Sequence, residues 1–98
     1  MVTYEITAHL DERLWPSYEA YMRDRHIPDL LATGCFHSAS FARGAPGDYL
    51  IRYQAPDRSS LDRYLAEHAE DLRAHFAAHF PDGVELSRRV WDELEIWP

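Results

Sequence analysis

Val2 to Leu10 alternates without a fault. Val2, Tyr4, Ile6, Ala8 and Leu10 fall on one side, and Thr3, Glu5, Thr7 and His9 on the other. A period of two belongs to a strand with one face in a core and the other turned away from it. A chain that starts with such a strand must build a sheet covered on one side only. The remaining residues must then supply its other strands and a covering layer.

The rest of the sequence can be divided accordingly. Asp11 supplies a turn, and Pro16, which has no N–H to donate, belongs in a first helical turn. The spacing of Leu14, Tyr18, Tyr21, Met22 and Arg25 predicts a helix over about 15–25. Pro28 disfavours helical geometry at Ile27, so a break is expected there, followed by a short turn over 28–32 that Gly34 ends. Strands are expected over 35–43 and 49–55, joined by the loop Gly44-Ala45-Pro46-Gly47-Asp48 as an antiparallel hairpin. Ser59 with Asp62 three residues on resembles a capping box. It would open one long helix whose buried stripe is Leu61, Leu65, Leu72, Phe76 and Phe80. Pro81-Asp82-Gly83 turns the chain into a last strand over 85–96, with Val90, Leu94 and Ile96 opposite Trp91, Glu93 and Trp97.

The order is β-α-β-β-α-β: a four-stranded antiparallel sheet with both helices on one face, in a single domain over 1–98. Its bare face would carry Glu5, Thr7, His9, Arg52, Gln54 and Trp91. A domain of 98 residues buries a modest share of its surface, so a second copy against that face would add burial.

Charge narrows the partners. The 17 acidic residues outnumber 10 basic ones, for a formal charge of −7, which disfavours nucleic acid and an anionic membrane surface. No apolar run approaches the roughly 20 residues of a membrane span. The first residues lack the basic-then-apolar pattern of a signal peptide, and the single Cys35 cannot form an internal disulfide. A cytoplasmic location is the expectation.

Tyr4-Glu5-Ile6-Thr7, Tyr21-Met22-Arg23-Asp24-Arg25-His26-Ile27-Pro28, Leu31-Ala32-Thr33-Gly34-Cys35-Phe36 and Tyr49-Leu50-Ile51-Arg52-Tyr53 together resemble a family of small uncharacterised bacterial proteins. That family lies in the dimeric α/β barrel superfamily of ferredoxin-like folds. The helix ending in His-x-Pro is a looser likeness to ring-modifying monooxygenases, isomerases and EthD-like proteins. The resemblance spans nearly the whole chain. It implies a homodimer whose two sheets face one another, and it implies no established activity.

His26 is the first candidate for chemistry, because an imidazole exchanges protons near neutral pH. Two roles fit it: a hydrogen-bonding residue that fixes the break before Pro28, or a general base in a pocket. Tyr53, Arg52 and His9 are candidates for holding a substrate, and His9 and His37 equally fit a polar interface patch. His68, His75 and His79 project within a narrow sector of a continuous helix and could chelate a metal. His75-Phe76-Ala77-Ala78-His79 lacks the glutamate of a zinc-protease helix, so boundary histidines are the plainer reading. Cys35 has no base near it in sequence and suits a buried thiol. No phosphate loop, nucleophile elbow or paired-cysteine motif is present. The expected activity is therefore binding or transforming a small molecule without a cofactor. The alternative is a non-catalytic dimeric accessory module.

Overall fold

The computed structural model describes residues 1–98. Four strands form the sheet: β1 (Val2–Leu10), β2 (Ser38–Arg43), β3 (Asp48–Ala55) and β4 (Val84–Asp92). They lie in the order β2-β3-β1-β4, each pair antiparallel. The helical layer comprises α1 (Trp15–Tyr21), α2 (Ile27–Ala32), α3 (Arg58–Glu67) and α4 (Ala69–His79). A 3-10 turn, Glu12–Leu14, leads into α1, whose first turn holds Pro16 as expected. This is the ferredoxin-like α+β sandwich that the sequence predicts.

The alternation of β1 sets the register. Tyr4 lies opposite Tyr53 and Val90, and Ile6 opposite Ile51 and Arg88, all on the face toward the helices. Glu5 lies opposite Arg52 and Arg89, and Thr3 opposite Gln54 and Trp91, on the bare face. Thr3 is nonetheless fully buried. Its hydroxyl lies 2.8 Å from both Gln54 Oε1 and Glu93 Oε1, so the end of β4 folds over it. Arg52 Nε donates to Glu5 Oε1 at 3.0 Å, which explains how Glu5 is nearly buried on an otherwise open sheet.

The helix break expected at Pro28 does not occur. Met22–His26 form a π-turn, in which the Ile27 N–H reaches back five residues to the Met22 carbonyl. Ile27 keeps helical angles of φ −64° and ψ −47°, and α2 continues through Pro28. A proline inside a regular helix lacks one donor and collides with the carbonyl four residues before it. The wider turn takes in one extra residue, so the helix passes the proline without breaking. Gly34 then ends the helical run with φ +78°, as expected of a left-handed stop.

Three further expectations are corrected. The long second helix is two helices, α3 and α4, meeting at His68 (φ −126°, ψ −32°). Across that joint the buried stripe changes phase: Tyr64 and Ala69 enter the core, whereas Leu65 is 37% exposed. The N-cap of α3 is Asp57, whose Oδ1 accepts from the Ser60 N–H at 2.8 Å, and Asp62 instead pairs with Arg58 at 3.1 Å. The last strand stops at Asp92, because after Glu93 N–H donates to the Met1 carbonyl at 3.0 Å, β1 offers no further partner. Leu94, Ile96 and Trp97 are left exposed. Similarly β2 begins at Ser38, since Cys35 and Phe36 first dip into the core.

Candidate functional site

The helical layer does not close completely on the sheet. A cavity of about 290 Å3 lies between them, and 13 of its 16 lining residues are hydrophobic. Its floor is the covered face of β1 and β3, with Tyr4, Ile6, Ile51 and Tyr53. Its roof is the helical run, which contributes Tyr18, Met22, His26 and Leu30 at four-residue steps. An α-helix repeats every 3.6 residues, so a stripe of strict fours would drift sideways. The π-turn brings it back into line and so delivers His26 to the cavity. The opening runs along the edge strand β4, where the lining residues Arg73, Ala77, Leu86 and Arg88 are exposed.

His26 lies against the rings of Phe76, at 5.4 Å between centroids, and Tyr21, at 5.9 Å. Burial holds its imidazole well below the usual histidine range, at about 4. Asp29 pulls the other way, and the charges of His75 and Arg88 oppose protonation further. At neutral pH the group is an uncharged imidazole facing an apolar chamber, able to accept or to donate one hydrogen bond.

Tyr53 is 1% exposed, and its hydroxyl has no hydrogen-bond partner. Burial, with Tyr64, Tyr18 and Tyr4 close by, pushes its ionisation far above the ordinary phenol range. A buried hydroxyl without a partner costs about 1–3 kcal/mol. The neighbouring phenols differ: Tyr4 accepts from Arg73 Nη2 at 3.0 Å, and Tyr21 bonds His75 Nδ1 at 2.8 Å.

The candidate residues fall into three groups. His26 and Tyr53 line one cavity. Arg52 and His9 lie on the opposite face of the sheet, since β3 alternates and Arg52 follows Ile51 and precedes Tyr53. Arg52 holds Glu5, and His9 Nδ1 meets Asp48 Oδ1 at 2.6 Å, a contact that raises its affinity for a proton. His68, His75 and His79 do not assemble. The break at His68 removes it from the helix of the other two, and no three His, Cys, Asp or Glu side chains converge as a metal site. His79 packs on Tyr21 at 4.4 Å, and its Nδ1 lies 3.1 Å from the His75 carbonyl. These contacts make both histidines flanks of the aromatic cluster. His37 is exposed just before β2. The residues sequence reasoning missed are Arg73 and Arg88. The alternation of β4 places Val84, Leu86, Arg88 and Val90 on the covered face, so an arginine in that row carried the signal for Arg88.

A four-stranded antiparallel sheet with helices on one side is a ferredoxin-like fold, shared with solved structures that include an antibiotic-biosynthesis monooxygenase and an EthD-family protein. The profile of DUF4286, a domain of unknown function, matches residues 1–94, and the chain belongs to that family. No curated protein sequence matches the chain significantly. Solved structures similar to it include SnoaB from Streptomyces nogalater, described as a cofactor-independent oxygenase. It has 13% identity and a TM-score of 0.77 over 99% of this chain and 96% of that one. An EthD-family protein from Bacillus halodurans has 12% identity and a TM-score of 0.71, over 96% of this chain and 100% of the other. The ActVA-Orf6 monooxygenase of Streptomyces coelicolor, solved with nanaomycin D bound, has 11% identity and a TM-score of 0.67 over 99% and 91%. At such identities the likeness is one of fold.

Proposed function

We propose that the protein binds a small molecule in the chamber between sheet and helices, and acts on it through His26 without a cofactor. The observation that carries this reading is the apolar cavity of about 290 Å3 with the His26 imidazole among its lining side chains. Its volume is near the lower end of ligand pockets, roughly 300–1,000 Å3. The ligand is then compact, with an apolar body. The neutral imidazole of His26 suits taking a proton from one atom of the ligand and returning it to another. Such an isomerisation consumes nothing else. SnoaB, described as a cofactor-independent oxygenase, performs a different reaction on the same fold and agrees with the reading only in needing no cofactor.

A homodimer through the bare sheet face is the second part of the reading. Trp91 is 41% exposed there, and Leu94 is 95% exposed just beyond the strand. A facing copy would cover both. Arg52 and His9 then belong to the paired surface. If the chamber binds nothing, this pairing by itself leaves a non-catalytic dimeric module.

The test is a fragment screen on protein labelled with 13C in its histidine and tyrosine rings. Compact ring compounds bearing one oxygen should shift the His26 and Tyr53 resonances together, and Leu86→Trp, which narrows the opening, should abolish the effect. Resonances unmoved by any fragment would sink the binding reading.

A further inference from the structure

The chamber is apolar within but cationic at its opening. Arg73 comes from α4 and Arg88 from β4, and both line it. Their charges reach the same place, since both bear on the Tyr64 phenol, and Arg88 also bears on His26. Neither has a carboxylate partner. The ion pairs of this chain instead engage Arg13, Arg23, Arg43, Arg52 and Arg58. Arg25, Arg63 and Arg89 form no ion pair either, but of the unpaired arginines only Arg73 and Arg88 line the chamber. The only side-chain bond that either makes is Arg73 Nη2 to the neutral Tyr4 hydroxyl, at 3.0 Å.

We infer that the ligand of this chamber is a small organic carboxylate: an apolar, ring-sized body seated among the aromatic walls, its carboxylate held at the β4 edge between Arg73 and Arg88. The inference rests on the binding reading above and names the class of its ligand. Two features support it. Guanidinium groups match a carboxylate in plane and can donate to it in parallel pairs. The walls between are Tyr, Phe, Ile and Leu side chains that suit a flat ring. The arrangement also couples binding to His26. Burial is the main cause of the low proton affinity of His26 and Arg88 the least, so at equal burial an anionic ligand, by offsetting Arg88, leaves the imidazole a stronger base than a neutral ligand does.

Matched probes test this: 2-naphthoate, its amide 2-naphthamide, and unsubstituted naphthalene, each titrated against the full chain by NMR of the His26 and Tyr53 rings. The carboxylate should bind about tenfold or more tighter than the amide, the gain expected of a charge-assisted bond. Arg73→Gln and Arg88→Gln, at exposed positions, should each erode that preference, lowering affinity for the acid more than for the amide. The titration midpoint of His26 should lie higher with naphthoate bound than with naphthamide bound. Equal affinity for acid and amide, or a preference that survives both substitutions together, would overturn the carboxylate assignment while leaving the chamber as a binding site. Silence from all three probes at both rings would overturn the chamber reading as well.

Discussion

At the scale of single residues, the chamber is built from groups held in costly states. His26 is neutral because burial and the nearby positive charges oppose its protonation. The sign of its effect on stability follows directly. Its proton affinity falls from an ordinary value of 6.5 to about 4 on folding, so between those pH values the unfolded chain binds the proton and the folded chain does not. His26 therefore contributes stability that is complete above about pH 6.5 and is lost as pH falls toward 4. Urea melts from pH 7 to 4 should show a shallower loss for His26→Gln than for the native chain. An equal slope would mean that the imidazole titrates normally. Tyr53→Phe removes a hydroxyl with no partner, so the empty protein should hold its stability or gain up to about 1 kcal/mol. Tyr4→Phe is the control, since it loses a bond to Arg73 and should gain nothing.

At the scale of elements, what the sequence revealed depended on how local the cause was. The register of the sheet was legible because alternation is intrinsic to a strand, and it correctly divided Tyr4 and Ile6 from Glu5 and Thr7. The stop at Gly34 was legible because a left-handed position names its residue. The course of the helix through Pro28 was not, because a proline predicts the loss of one bond and not the way a turn widens to absorb it. Tyr18, Met22, His26 and Leu30 did run through it in unbroken fours, the one trace of continuity. The break at His68 was hidden for another reason: no glycine or proline marks it, and packing against the sheet sets it. Half of the site was legible. His26 and Tyr53 stood out by residue type, whereas the grouping of Arg73 with Arg88 exists only after α4 is laid beside β4. Capping is a local cause that can be tested at this scale. Asp57 accepts from the Ser60 N–H and from the hydroxyls of Ser59 and Ser60, so Asp57→Ala should lower the denaturation midpoint. Ser59→Ala should cost much less.

At the scale of the whole molecule, the sheet has one face packed and one face waiting. No helix is long and apolar enough to cross a membrane. Most of the exposed large apolar side chains lie on β4 and the residues after it, and the proposed second copy would cover Trp91 on the bare face. Light scattering behind a sizing column should give twice the chain mass at micromolar concentration. Trp91→Glu should shift it to the mass of one chain, with the fold retained by circular dichroism. A native chain that runs as a monomer would contradict the paired arrangement but not the chamber, which lies on the other face of the sheet. The two proposals can thus fail separately. The π-turn has a consequence for chain length. It carries one residue more than a regular helix needs for the same rise. Deleting its exposed Asp24 or Arg25 would restore a regular turn and bring Pro28 against the carbonyl four residues before it, so the shortened chain should fold less stably than one in which Pro28 is replaced by Ala as well.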